Sequence, residues 1–206
     1  MEDVLSVYAL PYDPSFPLIC MDESCKQLVG EFIEPMPAVP GRTARIEHEY
    51  VRNGVSAIFL EVEPLTGRRH VEVSERRTKR DWAWWIKGML EERYPEATQV
   101  VLVLDNLNTH STASLYETFE PAQARKLAQR LQIHHTPKRG SWLNVAEIEL
   151  SALSTQCLDR RLPDQQTLSN EIAAWEKDRN NRQIRINWQF TTEDARIKLR
   201  RVYPKL

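Results

Sequence analysis

Residues 100–104 read Val-Val-Leu-Val-Leu, five consecutive β-favouring apolar side chains, and Asp105 follows at once. A strand with one wet face alternates apolar and polar residues. An unbroken apolar run marks a strand buried on both faces. The run therefore predicts a sheet with helices packed above and below it.

The flanking sequence agrees. Leu18–Met21, Gln27–Phe32, Val55–Val62 and His70–Val73 read as strands, the last two separated by the turn signal Pro64-Leu65-Thr66-Gly67. A Pro-rich loop, Pro35–Pro40, interrupts them. Thr78–Tyr94 carries Trp82, Trp85, Ile86, Met89 and Leu90 at helical spacing. Pro121–Leu131 reads as a helix with proline in its first turn, and Gln132–Thr136 as a short strand. Ser141–Leu158, Asp164–Arg179 and Thr191–Val202 read as helices. Leading hairpins followed by βαβ units predict a mixed sheet with helices on its faces.

Glycine and cysteine usage narrows the chemistry. The six glycines are too widely spaced for GxGxxG or a P-loop, and no GxSxG is present. Three cysteines without a CxxC pair do not make a disulfide framework or a zinc site, and fit a reducing cytoplasm. The acidic start MEDVLSVYAL is not a secretory signal, and no stretch approaches the ~18 apolar residues of a membrane span. With 206 residues, 41% hydrophobic and 28% charged, the chain is expected to be one soluble domain.

Charge is unevenly distributed. Residues 1–66 carry 4 basic and 11 acidic side chains, whereas residues 67–206 carry 24 and 18. Basic residues cluster at Arg68–Arg69, Arg76–Arg80, Lys138–Arg139, Arg160–Arg161 and Arg196–Arg201. Each cluster is either a solvated face or a set of phosphate contacts, and five in one chain favour an anionic partner.

Three acids stand out by position. Asp22 ends the run Leu18–Met21, and Asp105 ends Val100–Leu104. Ligands collect at the carboxyl ends of strands in open α/β sheets, although turns and caps also place aspartate there. Glu147 falls on a helical stripe with Leu143, Ala146, Leu150, Leu153 and Cys157, while Glu149 lies roughly 200° round the wheel. A core-facing carboxylate must be paired, protonated or metal-bound. Two aspartates on neighbouring strands and a glutamate on a following helix can bracket two hard cations about 4 Å apart, Mg²⁺ or Mn²⁺, and promote in-line displacement at phosphorus.

With those acids identified, the chain resembles the DDE transposases. MDE at 21–23, LVLDNLNTH at 102–110 and TPKRGSWLNVAEIEL at 136–150 carry the resemblance. It is nearest to the bacterial insertion-sequence branch of the mariner superfamily, the IS-six-thirty group. It continues through GRTARIEHEYVRNG at 41–54, STQCLDRRLPD at 154–164 and NWQFTTEDARIKLRRVYP at 187–204. The resemblance implies an α/β, RNase H-like fold: a mixed five-stranded sheet flanked by helices, with extra C-terminal helices. It implies a triad of Asp22, Asp105 and Glu147 holding two Mg²⁺ or Mn²⁺ ions. The implied chemistry is DNA cleavage at element ends and strand transfer into TA targets, which are flexible steps. It also implies a homodimer or a separately encoded DNA-binding half, acting on nucleoid DNA in a bacterial cytoplasm.

Two departures from the family pattern stand out. Position 139 is Arg where relatives usually carry His, and Asp105 and Glu147 are 42 residues apart, more than in eukaryotic mariner relatives. Full-length relatives carry helix-turn-helix domains ahead of the catalytic domain. With a strand expected from Leu18, residues 1–206 are expected to form only the catalytic domain, with a core at about 15–180 and a helical extension at 181–206.

Further residues have two readings each. Asn106, Asn108 and His110 either orient the metal site or touch DNA; the alternative is that Asn108 or Thr109 caps a helix starting near Ser111. Lys138, Arg139 and Trp142 either grip phosphate and a splayed base or form an exposed basic loop with Trp142 packed beneath. Trp82, Trp84 and Trp85 read as core packing. Glu23, next to Asp22 on an extended strand, should face the other way. The competing functions are an RNase H-like nuclease and a non-catalytic DNA-binding remnant.

Overall fold

In the computed structural model, residues 1–33, 36, 38–43 and 49–203 are described. Five strands form one sheet in the order β3-β2-β1-β4-β5. They are β1 (Leu18–Glu31), β2 (Tyr50–Glu63), β3 (Arg68–Ser74), β4 (Val100–Leu104) and β5 (Leu131–His135). The first three form an antiparallel meander, and β4 and β5 run parallel to β1. This is the mixed sheet that the sequence predicts.

Alternation along the strands sorts side chains into two cores. Leu18, Cys20, Ile58, Leu60, Val62, Val101 and Val103 pack into one. Ile19, Met21, Ala57, Phe59, Val100, Leu102 and Leu104 pack into the other. The apolar run 100–104 thus feeds both layers. The second core is closed by α2 (Lys79–Gly88), α3 (Thr112–Thr118) and α4 (Pro121–Gln129). The first is closed by α1 (Glu2–Tyr8), α5 (Val145–Gln156), α6 (Gln165–Asn181) and α7 (Thr192–Lys198).

Local chemistry explains the boundaries. Thr78 and Asp81 form a capping box at the start of α2, Thr191 and Asp194 form one at the start of α7, and Pro121 opens α4. At Gly67 φ is +75°, and a Cβ would lie 2.8 Å from the Ile184 carbonyl, so the β2–β3 turn requires glycine.

Several expectations are corrected. Leu18–Met21 and Gln27–Phe32 belong to one 14-residue strand, irregular between Gln27 and Val29. The intervening polar residues suggest a break, but pairing with β2 runs straight through them. The helix expected at Thr78–Tyr94 widens its register after Gly88 into a π-helical turn, Met89–Arg93, where Arg93 pairs with the buried Glu61 at 2.7 Å. Helix α1 has only seven residues, too few for a strong periodic signal, and is held by packing against the first core. Pro35, Pro37 and residues 44–48 and 204 of the quoted segments lie outside the described residues.

Candidate active site

Asp22 and Asp105 are brought together by strand register. β1 pairs with β4 through Cys20 and Val103, and continuing that register two residues further sets Asp22 beside Asp105. Asp22 continues the positions of β1 that face the first core, Leu18 and Cys20. Helix α5 packs on that same face, against β1 and β2. Its N-cap, Asn144, is fully buried. The Asn144 Oδ1 accepts from the Ala146 N–H at 3.1 Å, and its Nδ2 donates to the Met21 carbonyl at 2.8 Å. One side chain therefore starts α5 and ties it to the residue before Asp22. Glu147 lies in the first turn, where the helix dipole favours a carboxylate.

The charges of Asp105 and Glu147 act on Asp22. Burial is the main force raising the Asp22 carboxyl to about 6, and the negative charges of Asp105 and Glu147 raise it further. The Glu23 amide, which donates to Asp22 Oδ1 at 2.8 Å, and His110 partly offset this.

Asp105 is held from behind. Its Oδ1 accepts from the Leu107 amide at 3.3 Å and lies 2.5 Å from His110 Nδ1. His110 is fully buried, tilted against Trp82 at 5.9 Å. Its Nε2 lies 3.5 Å from Glu23, whose other oxygen lies 3.8 Å from Arg77. Burial pulls the imidazolium down, but hydrogen bonds to Asp105 and Glu23 outweigh it and raise His110 to about 9. An ionised His110 thus bridges two carboxylates. It supports Asp105 from inside the fold and offers no surface to DNA. Glu23 does face away from Asp22, as alternation predicts, into the second core's side where His110 lies.

The helical-wheel reading of α5 needs correction. Ser141–Leu143 is a separate 3₁₀ turn, and α5 begins only at Val145. Leu143 therefore does not belong to the wheel and sets its phase wrongly. The buried face is Val145, Ala146, Glu149 and Leu153. Glu147 is half-buried, and Glu149 is the acid in the core, 1% exposed. It meets Arg69 at 2.9 Å and takes a bidentate pair from Arg179 at 2.7 and 3.1 Å. Arg69 therefore does not belong to a phosphate-binding cluster. The spacing of Glu149 with Val145 and Leu153 is the signal that would have found it, given the right helix start.

The remaining candidates lie at the surface. Asn106 and Asn108 are exposed, and neither Asn108 nor Thr109 caps α3, whose N-cap is Ser111. Lys138 and Arg139 are exposed on a turn closed by the Gly140 N–H donating to the Pro137 carbonyl at 2.8 Å. At Arg139 φ is +66°, a left-handed conformation that costs a side-chain-bearing residue of order 1 kcal/mol. Trp142 is 44% exposed and meets Phe190 edge-on at 5.6 Å, so it rests on a neighbour without being covered. Trp82 and Trp85 are core residues as expected; Trp84 is exposed against Phe119.

Three carboxylates are hard oxygen donors, and a divalent cation would relieve the repulsion that Asp105 and Glu147 exert on Asp22, so donor type and charge suit such an ion. Among the described residues, no three His, Cys, Asp or Glu side chains are drawn closely enough together to hold a metal ion as they stand.

The DDE superfamily endonuclease model matches residues 17–169. The chain belongs to the DDE superfamily endonucleases. That span runs from the residue before β1 into α6 and contains all three acids. No curated protein matches in sequence. Among solved structures, the fold is similar to the Mos1 mariner paired-end complex with Mn, at a TM-score of 0.56 and 14% identity over 84% of this chain and 52% of that one. It is likewise similar to the Mos1 strand transfer complex, at 0.58 and 12% over 84% and 50%. The DDE chain therefore has the RNase H-like fold of the Mos1 catalytic domain and spans about half the length of the Mos1 chains it matches. No helix among the described residues is long and apolar enough to cross a membrane.

Proposed function

We propose that this DDE chain is the catalytic domain of a transposase of the bacterial IS-six-thirty type, cleaving DNA strands and joining them to a target. The observation that supports the reading is the strand register that leads Asp22 towards Asp105, together with the charges of Asp105 and Glu147 that raise the Asp22 carboxyl.

Asp22, Asp105 and Glu147 would hold two Mg²⁺ or Mn²⁺ ions, which supply activation of a water or 3′-OH and stabilisation of charge at phosphorus. The protein's own residues do the rest. The strand ends fix the two aspartates, Asn144 fixes the start of α5 that carries Glu147, and His110 holds Asp105. Lys138 and Arg139 lie on the loop that leads to the third acid and are suited to phosphate contact, while exposed Trp142 offers a face to a splayed base.

DNA is the substrate in this reading: element ends and a TA target, engaged in the cytoplasm on nucleoid DNA. The similar Mos1 complexes contain paired transposon ends, which supports a second copy of the chain, or a separately encoded DNA-binding half, as partner. The test is Mn²⁺-dependent nicking of supercoiled plasmid by wild type and by Asp22→Asn, Asp105→Asn and Glu147→Gln. Each variant should lose at least about 100-fold, the scale set by losing a charge-stabilising group in a reaction centre. Nicking that persists in all three would remove the assignment.

A further inference from the structure

Glu149 has no part in the chemistry above, yet it is one of the most deeply buried charges in the chain. Its carboxylate joins three elements: its own helix α5, Arg69 on β3 and Arg179 on α6, with the three side chains 1%, 0% and 10% exposed. The Arg69 contact, 2.9 Å from Nε, is an ion pair whose angle falls short of a hydrogen bond. The Arg179 contact is a two-pronged fork. The guanidinium of Arg69 is itself fixed by the Gly67 and Ile184 carbonyls, both at 2.7 Å, and its backbone by Asn180.

A buried ion network of this kind is poor evidence for stability, because desolvation offsets most of the attraction. It does supply direction. The other side chains on the buried face of α5 are Val145, Ala146 and Leu153, whose apolar contacts tolerate rotation. Forked charge-assisted bonds do not. Glu149 follows Glu147 by two residues, so the network grips the helix roughly 200° round from the acid. With side chains reaching about 5 Å from a helix axis, a turn of about 15° would move the Glu147 carboxylate by over an ångström.

We propose that Arg69, Glu149 and Arg179 are positioning residues that set the azimuth of α5 and so hold Glu147 against Asp22 and Asp105. This rests on reading Glu147 as a metal ligand. The test measures Mn²⁺ affinity directly by titration calorimetry, alongside thermal unfolding, for wild type, Glu147→Gln, Glu149→Gln, Arg179→Lys and Leu168→Ala. Leu168 is a buried α6 residue of the same core and serves as the control for a general loss of stability. Supporting residues around a metal typically change affinity 10- to 100-fold. Glu149→Gln should weaken Mn²⁺ binding at least tenfold and Arg179→Lys several-fold, while Leu168→Ala lowers the melting temperature but keeps wild-type affinity. If Glu149→Gln does not fold, Arg179→Lys, which keeps the charge and loses the fork, decides. Wild-type affinity in the folded variants, or an equal loss in Leu168→Ala, overturns the positioning role. No Mn²⁺ binding by wild type, or undiminished binding by Glu147→Gln, defeats instead the reading of Glu147 on which it rests.

Discussion

Asp22 and His110 are both shifted upward, Asp22 by burial and His110 against it, and each makes a distinct pH prediction. Burial and two like charges raise Asp22 from 3.8 to about 6. The folded chain therefore binds a proton more tightly than the unfolded one, and stability falls as pH rises from about 4 through 6. In the metal-free chain, Asp22→Asn should be the more stable protein at pH 8, by on the order of 3 kcal/mol. Urea unfolding across this range should show the gap closing as pH falls through 6 towards 4; a pH-independent gap contradicts the burial argument. His110 is raised from 6.5 to about 9, despite burial, by Asp105 and Glu23. Its stabilisation is fully present below pH 6.5 and lost as pH rises through 9. His110→Gln should therefore trail wild type at pH 6 by about 3 kcal/mol and approach it above pH 9.5. His110 was legible as a residue of interest next to Asp105. Its burial was not, because that depends on α2 and Trp82 arriving from elsewhere in the chain.

At the scale of the element, the segment from 137 to 156 carries most of the site's architecture. Its N-cap Asn144 makes two buried hydrogen bonds, one within the helix and one to β1. Asn144→Ala should cost about 1 kcal/mol for the cap and a further ~1–2 kcal/mol for the unmet Met21 carbonyl. Thr78→Ala, which removes the exposed cap of α2, should cost only about 1 kcal/mol. Chemical denaturation of both variants checks the ratio; equal losses would mean that the bond to β1 adds nothing. The existence of this helix was evident from its periodicity. Its phase was not: Leu143 is apolar and buried like a helix residue, but belongs to the 3₁₀ turn before the cap. A helical period extended across Asn144 therefore assigns Glu147 to the core and Glu149 to the outside, the reverse of their burial.

Across the whole molecule, charge is divided by use. Much of the basic sequence is already paired: Arg69 and Arg179 with Glu149, Arg160 with Glu171, Arg161 with Glu31 and Arg196 with Glu2. Counting clusters therefore overstates the phosphate-binding surface. Lys138 and Arg139 remain exposed on the loop leading to α5. Binding to duplex DNA, measured against salt, should weaken linearly in log–log form, and Lys138→Gln or Arg139→Gln should each lower the slope by about 1 for any DNA sequence. An unchanged slope in both would put the DNA elsewhere on the surface.

The sequence by itself determined the sheet and its covering. A five-residue apolar run needs two apolar layers, and period-2 alternation sorts its neighbours between them. It also singled out Asp22 and Asp105, because an aspartate ending an apolar strand is a local pattern. What only the tertiary structure decided were the relations between distant segments. The pairing of Asp22 with Asp105 comes from the register of β1 on β4. The buried bridge from Glu23 through His110 to Asp105 spans 87 residues of chain. The Arg69–Glu149–Arg179 network joins β3, α5 and α6. Directional contacts such as these depend on which surfaces meet, and helical or strand periodicity reports only which side of an element is apolar.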